Sequence, residues 1–148
     1  MKKTKPVAVY WDPTSVLSAL FQDSNSEIAL SMSKKEGVHL LSALCYAEVS
    51  AVLSRIKRRG SINEILIEVA TEALKSGPWR HLNIWPEWSI LTPLSIKRPL
   101  KAVNLWHLAS AKTLQKQIPE LTLLTFDEEL RTAAEEEGLS ASLSPDTV

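Results

Sequence analysis

The sequence has one cysteine, few glycines and no net charge. Cys45 has no disulfide partner within the chain, which predicts a reducing, cytoplasmic location. The four glycines are isolated and do not form a Gly-x-Gly-x-x-Gly or P-loop spacing, so a glycine-rich nucleotide loop is excluded. With 17 Lys plus Arg against 17 Asp plus Glu, bulk coating of DNA or of an anionic membrane is excluded as well.

Long hydrophobic runs are also missing. The basic start MKKTK is followed by an apolar run, residues 7–11, that ends at Asp12 and is too short for the ~7–15 residues of a signal-peptide core. Nothing approaches the roughly 20 apolar residues of a membrane span. At 148 residues and 45% hydrophobic content, the chain has the size and composition of one folded domain. We therefore expect a single domain over residues 1–148 with no membrane partner.

The sequence does contain short apolar runs that alternate with amphipathic segments. The runs predict strands at residues 7–11, 38–41, 82–84 and 121–125, and an edge strand at 139–143. Helical spacing predicts helices at residues 14–20, 26–33, 44–59, 86–91, 100–115 and 127–137, and a capping box at Ser61 and Glu64 predicts another that ends near residue 75. This alternation predicts a three-layer α/β/α sandwich around a mostly parallel sheet of four or five strands.

Three acidic residues lie where ligands are often bound. Asp12 directly follows the first predicted strand, and Asp127 follows the run that ends at Thr125. Both are therefore expected at the carboxyl edge of the parallel sheet, which is the ligand-binding edge of open α/β folds. Glu48 lies beside the apolar stripe of its helix, where a carboxylate is partly desolvated and needs a partner such as a divalent cation.

Each acid also has a purely structural interpretation. Asp12 before Pro13, and Asp127 before its helix, are both good N-caps. Glu48 can instead pair with a Lys or Arg at the boundary of the core. Cys45 lies on the apolar stripe and is interpreted as a buried thiol rather than a nucleophile. Only the three acids taken together favour a metal site over these separate roles.

Four segments of the chain resemble the PIN-domain family, and they occur in the family's order. They are VAVYWDPTSVLSAL, LLSALCYAEVSAVLSRI, KAVNLWHLASAKTL and LTLLTFDEELRTAAEEEGL. The family consists of metal-dependent ribonucleases and includes the VapC-type toxins of bacterial toxin–antitoxin pairs. The resemblance implies a PIN-like fold and a Mg²⁺- or Mn²⁺-dependent endoribonuclease of toxin type. It also implies a homodimer and an antitoxin protein as partner.

The resemblance also implies roles for individual residues. It places Asp12, Glu48 and Asp127 in the catalytic metal cluster and makes Thr14 the hydroxyl that supports the first acid. Where the family normally has an aspartate in a D-x-x-H-L-A pattern, this sequence has Asn104. An amide oxygen can still ligate Mg²⁺ or Mn²⁺, but the site loses one negative charge.

Three interpretations of Asn104 stay open. The chain is a weakened nuclease, or a non-catalytic member that binds RNA or an antitoxin-like partner, or a toxin silenced by an Asp-to-Asn change. Outside the resemblance, a further alternative is an α/β domain whose acids only cap helices.

Basic residues near these acids are candidates for RNA contacts. Arg55 and Arg59 lie on the same flank of their helix as Glu48, and Arg98 and Lys101 precede the helix of Asn104. They are placed to bind RNA phosphates. An equally weighted alternative is that basic side chains stabilise the negative end of a helix dipole.

Overall fold

The structure, a computed structural model, describes residues 5–140. Within this range the chain forms four strands and seven helices. The strands are β1 (Val7–Trp11), β2 (Gly37–Ser42), β3 (Trp79–Leu82) and β4 (Thr122–Leu124). The helices are α1 (Pro13–Leu20), α2 (Ser26–Ser33), α3 (Ala43–Arg59), α4 (Glu64–Ser76), α5 (Trp88–Lys97), α6 (Ala102–Gln115) and α7 (Glu128–Glu136).

The four strands form one parallel sheet in the order β3-β2-β1-β4. Val7 on β1 lies opposite Gly37 on β2, and Trp11 on β1 lies opposite Leu124 on β4. The chain proceeds from β1 outward through β2 to β3 and then returns to the other side of β1 for β4. The direction of winding therefore reverses between β1 and β4, and ligands of open α/β sheets bind at the carboxyl end of such a reversal.

The sheet is covered by helices on both faces. Successive residues of β1 point to opposite sides: Val9 and Trp11 pack with α1 to α4, whereas Ala8 and Tyr10 pack with α5 to α7. A strand buried on both faces needs an unbroken apolar run, and this is why residues 7–11 do not alternate with polar ones. The predicted three-layer α/β/α sandwich is thus confirmed.

Two local predictions were wrong: the N-cap of α4 and the position of the third strand. Helix α4 is capped by Asn63, whose side-chain oxygen accepts the Ile65 N–H at 2.9 Å, so the capping box of Ser61 and Glu64 does not form. Asn and Ser are comparable N-caps, and sequence spacing alone does not choose between them. The predicted strand at residues 82–84 lies earlier, at β3, where the Trp79 ring packs edge-on against the Trp11 ring at 5.4 Å.

The remaining differences are at element ends. The short helix predicted at residues 86–91 is α5, which begins at Trp88 and continues past Pro93 to Lys97. Leu123 forms a parallel bridge with Ser140, the second residue of the edge strand predicted at 139–143, and residues 141–143 lie outside the described residues. None of the helices within residues 5–140 has the length and apolar character needed to cross a lipid bilayer.

Candidate functional site

The carboxyl end of β1 places Asp12 in the interior, with 1% of its surface exposed. One carboxylate oxygen, Oδ1, accepts the Thr14 hydroxyl at 2.7 Å and the Ser15 N–H at 2.9 Å. The other, Oδ2, accepts the Thr125 hydroxyl at 2.6 Å. All of these donors are neutral, and no Lys or Arg within residues 5–140 forms an ion pair with Asp12. Asp12 is thus a buried acid whose direct hydrogen-bond partners are all neutral groups.

The surroundings of Asp12 disfavour its charged form. Burial raises the pKa of the Asp12 carboxyl, and the hydrogen bonds from Thr125, Ser15 and Thr14, together with nearby His107, reverse that increase only in part. A buried carboxyl in this situation is stabilised by binding a proton or by binding a cation. The Asp12 position is therefore chemically suited to either.

Asp127 is held beside Asp12 through the end of β4. The Thr125 hydroxyl that donates to Asp12 also accepts the Asp127 N–H at 3.1 Å. Oδ1 of Asp127 accepts the Leu130 N–H at 3.0 Å and caps α7, as Asp12 caps α1. Both acids therefore act as helix caps, in line with their structural interpretation. Each carboxylate oxygen has two lone pairs. Both lone pairs on Oδ1 of Asp12 accept hydrogen bonds, so a cation would bind Asp12 through Oδ2, whereas Asp127 keeps lone pairs on both oxygens.

Glu48 reaches the same edge from α3. Its Oε1 is hydrogen-bonded to Nε2 of His107 at 2.6 Å, and its side chain is 25% exposed. The partner of Glu48 is thus a histidine rather than the Lys or Arg of the alternative interpretation. Burial first, and then the charges of Asp12 and Glu48, raise the pKa of the Cys45 thiol. The raised pKa keeps the thiol protonated, which agrees with the interpretation of Cys45 as a buried thiol rather than a nucleophile.

Asn104 lies in the first turn of α6 and is half-buried. It precedes His107 by three residues, and residues at this spacing share one face of a helix. Because His107 contacts Glu48, this face of α6 is turned toward the acids. The inward placement predicted for Asn104 agrees with its partial burial.

The side chains at this edge offer the oxygen atoms that a hard cation prefers, but too few of them are grouped to form a complete set of ligands. Carboxylate and amide oxygens are the ligands that Mg²⁺ and Mn²⁺ prefer. However, no group of three or more His, Cys, Asp or Glu side chains within residues 5–140 is arranged to hold a metal ion. A cation at this edge would therefore rely on no more than two carboxylates together with neutral oxygens, such as the Asn104 amide or water.

A basic groove of 530 Å³ runs along α3 beside Glu48. It is lined by Pro13, Glu48, Ala51, Val52, Ser54, Arg55 and Arg58. Arg55 was predicted from its helical spacing, whereas the second arginine of the groove is Arg58 and not Arg59. Arg59 is the last residue of α3 and is exposed outside the groove lining.

The second predicted basic group has other partners. Arg98 is 14% exposed in its side chain and forms ion pairs with Glu136 and with Glu137. The structure thus gives Arg98 a protein partner, against the prediction that it contacts RNA. Lys101 is exposed and precedes α6, so it stays a candidate for an RNA contact.

Three residues that support the acids were not selected from the sequence: Thr125, His107 and Tyr10. A signal existed for Thr125, because the spacing in Thr125-x-Asp127 mirrors that in Asp12-x-Thr14. His107 belongs to the NLWHLASA segment, but no local pattern indicates that it contacts Glu48, 59 residues away. Tyr10 has no distinguishing sequence signal within its apolar strand.

Comparisons with known proteins are informative about the fold alone. No protein-family model matches the chain, and no curated protein does. Among solved structures, the crystal structure of PAE2754 from Pyrobaculum aerophilum is similar, with a TM-score of 0.58 and 16% sequence identity. The match covers 87% of this chain and 81% of that chain. The two proteins share the α/β/α architecture.

Proposed function

We propose that this chain is a PIN-type, metal-dependent endoribonuclease that hydrolyses RNA phosphodiester bonds. The observation that carries the proposal is the state of Asp12, a carboxyl with 1% exposure and only neutral donors around it. It lies at the carboxyl edge beside the reversal of the sheet, where α/β folds bind ligands. A buried acid at this position needs a cation or a proton, and Glu48 and Asp127 supply further oxygens nearby.

The proposal assigns a role to each residue of the site. Asp12, Glu48, Asp127 and Asn104 would hold Mg²⁺ or Mn²⁺ directly or through water, with no more than two of the three carboxylates bound directly to one ion. When bound, such an ion lowers the pKa of a water and stabilises charge on the attacking and leaving oxygens. Thr14 and Thr125 fix the Asp12 carboxylate from two sides. Arg55 and Arg58 line the adjoining groove, where they would bind the phosphates that flank the scissile bond.

Asn104 makes this proposed site weaker than one with four carboxylates. The affinity of a hard-cation site depends on its number of charged oxygens. We therefore propose a nuclease that needs a high concentration of divalent cation rather than one that holds its metal tightly.

The proposal includes partners and a location. We propose a cytoplasmic homodimer that is bound by an antitoxin protein. An exposed apolar surface supports a protein contact: Ile65, Leu66 and Val69 on α4 are 66%, 57% and 60% exposed. Leu66 and Val69 also line a groove of 710 Å³ shared with α1 and α2.

The decisive experiment is RNA cleavage by the purified chain and its Asn104→Asp variant. A panel of fluorescence-quenched RNAs is incubated with a Mn²⁺ series and with EDTA. We expect slow cleavage that requires Mn²⁺, and cleavage by Asn104→Asp that is at least about tenfold faster at low Mn²⁺, because one more charged ligand tightens cation binding. Asn25→Asp adds the same charge at the start of α2, away from the site, and should cleave like the parent.

Two results would contradict the proposed nuclease activity. If the parent and Asn104→Asp both leave the whole panel intact at millimolar Mn²⁺ while remaining folded, the chain is not a nuclease. EDTA-resistant cleavage would equally contradict a metal-dependent reaction.

A second candidate is a PIN-like module that binds RNA or an antitoxin-like partner without cleaving. One observation favours it: no group of three or more His, Cys, Asp or Glu is arranged for a metal within residues 5–140. RNA binding that is unchanged by EDTA, together with the absence of cleavage above, would identify this function.

A further inference from the structure

A buried chain of hydrogen bonds leads from the central strand to Glu48. The hydroxyl of Tyr10 on β1 lies 2.7 Å from Nδ1 of His107, and Nε2 of His107 lies 2.6 Å from Oε1 of Glu48. Tyr10 and His107 are both 0% exposed. Three elements, β1, α6 and α3, thus contribute one side chain each to a single line of contacts.

The chemistry of the partners fixes the direction of these bonds. A carboxylate only accepts hydrogen bonds, so Nε2 of His107 must carry the hydrogen that faces Glu48. In the neutral ring, Nδ1 is then an acceptor and takes the hydroxyl hydrogen of Tyr10. The Tyr10 hydroxyl thereby stabilises the same tautomer that the Glu48 carboxylate requires.

Packing holds the His107 ring in this orientation. The Trp106 ring meets it edge-on, with centroids 5.5 Å apart and an interplanar angle of 90°. The Tyr10 ring meets it at 5.7 Å and 65°. Since the ring cannot turn without displacing these neighbours, its hydrogen bond to Glu48 has a fixed direction.

We infer that Tyr10 and His107 are positioning residues that orient the Glu48 carboxylate for cation binding. One oxygen, Oε1, is held by His107, and the other, Oε2, is left for the cation. Hydrogen bonds behind a ligand orient it and raise its basicity, and their loss typically lowers metal affinity about 10- to 100-fold. This inference rests on the proposed function, because it assigns Glu48 to the same cation site.

His39 provides a matched control within the chain. It is also buried, at 3% exposure, and both of its ring nitrogens are hydrogen-bonded. Nδ1 accepts the Trp11 indole N–H at 3.1 Å, and Nε2 donates to the Lys35 carbonyl at 2.9 Å. His39 therefore has the same tautomer and a comparable environment but contacts none of the acids of the site.

The test measures Mn²⁺ affinity by calorimetry and stability by urea unfolding for four variants. We expect His107→Leu to lower Mn²⁺ affinity about 10- to 100-fold and Tyr10→Phe to lower it less. His107→Gln keeps an N–H that can reach Glu48 and should recover most of the affinity. His39→Leu should lose stability like His107→Leu and keep the parent affinity within about twofold.

Two results would overturn the inference. One is a His107→Leu variant that binds Mn²⁺ as tightly as the parent. The other is a loss of affinity in His39→Leu as large as that in His107→Leu, which would make the effect one of general stability.

Failure of the proposed function would look different. If the parent binds no Mn²⁺, the cation site itself is absent, and the hydrogen-bond chain is judged from the ¹⁵N spectrum of its histidines alone. A neutral His107 with hydrogen on Nε2, whose Nδ1 signal shifts in Tyr10→Phe because its hydrogen-bond donor is gone, supports the hydrogen-bond chain from Tyr10 to Glu48. Hydrogen on Nδ1 contradicts it.

Discussion

Asp12 has two structural roles in one carboxylate. Oδ1 caps α1 through the Ser15 N–H, and Oδ2 is tied to β4 through the Thr125 hydroxyl. Capping needs only an oxygen acceptor, whereas cation binding needs negative charge. The two roles can therefore be separated by a substitution that keeps the oxygen and removes the charge.

We expect Asp12→Asn to keep the fold and lose the cation. Asn is as good an N-cap as Asp, and the Thr125 hydroxyl can turn to accept from the new amide, so the free energy of unfolding should change by less than about 1 kcal/mol. Mn²⁺ binding should be lost, because the most buried charge of the proposed site is gone. Urea unfolding and calorimetry measure the two effects.

Asp23→Asn is the matched control, since Asp23 is exposed and accepts from the Ser18 hydroxyl and the Asn25 N–H. It should leave Mn²⁺ binding unchanged. Unaltered Mn²⁺ affinity in Asp12→Asn would show that Asp12 is a cap and not a cation ligand.

The acids and the neighbouring hydroxyl of Thr14 could be predicted from sequence, but the contacts between distant parts of the chain could not. Asp12 and Asp127 follow apolar runs directly, and position along a strand is a local property. The bond from Thr125 to Asp12 joins residues 113 apart, and the bond from His107 to Glu48 joins residues 59 apart. Such pairs depend on strand order and on helix rotation, which no local pattern specifies.

Among the elements, the start of β2 depends on one glycine. Gly37 has a φ of +142°, and a Cβ built on it would lie 2.0 Å from the carbonyl oxygen of Val7 on β1. Gly37 is thus required both by its backbone conformation and by the closeness of the neighbouring strand.

We expect Gly37→Ala to destabilise the protein by roughly 3 kcal/mol or more, because the strained φ and the contact with β1 add together. Urea unfolding gives the value. Gly60→Ala is the matched control: Gly60 ends α3 at a φ of +64°, with nothing within 4 Å of an added Cβ, and should cost about 1 kcal/mol. Equal costs for the two variants would contradict the close approach of β1 and β2.

Helices with a clear periodicity of apolar residues were predicted well, whereas the proline-rich segment was not. The apolar stripe of α3, with Cys45, Val49 and Leu53 buried, marks its whole length, and Gly60 marks its end. Between residues 78 and 99, four prolines interrupt the sequence, and the spacing of apolar residues no longer indicates where a helix begins or ends. The predicted helix ended at residue 91, before Pro93, yet α5 continues past Pro93 to Lys97. Pro93 removes one backbone hydrogen bond, while Leu94 next to it is buried in the core.

At the scale of the whole molecule, an ion cluster joins the three helices on one face of the sheet. Glu137 follows α7 and pairs with Lys97 of α5, with Lys112 of α6 and with Arg98. Burial would raise the pKa of Glu137, but the hydrogen bonds from these three cations outweigh it and lower the pKa from 4.5 to about 2. The charged form of Glu137 thus holds the α5–α7 layer together.

This depressed pKa predicts an acid-dependent loss of stability. The stabilisation by Glu137 is fully present above its unfolded pKa near 4.5 and is lost as the pH falls toward 2. The loss should be on the order of 2 kcal/mol, since one pKa unit corresponds to about 1.4 kcal/mol and partial exposure reduces the effect. Urea unfolding at a series of pH values measures it.

Glu137→Gln should flatten this part of the pH profile, whereas Glu68→Gln, at an exposed site on α4, should not. A profile in Glu137→Gln as steep as that of the parent would mean that other carboxyls cause the acid sensitivity.

The pairing of β1 with β4 has a consequence for synthesis of the protein. A ribosome makes Thr125 113 residues after Asp12, so the hydroxyl that holds Oδ2 of Asp12 is missing while those residues are translated. His107, the hydrogen-bond partner of Glu48, is likewise synthesised 59 residues after Glu48. A growing chain therefore carries its acids unassembled, and the site can form only after β4 has left the ribosome and inserted beside β1.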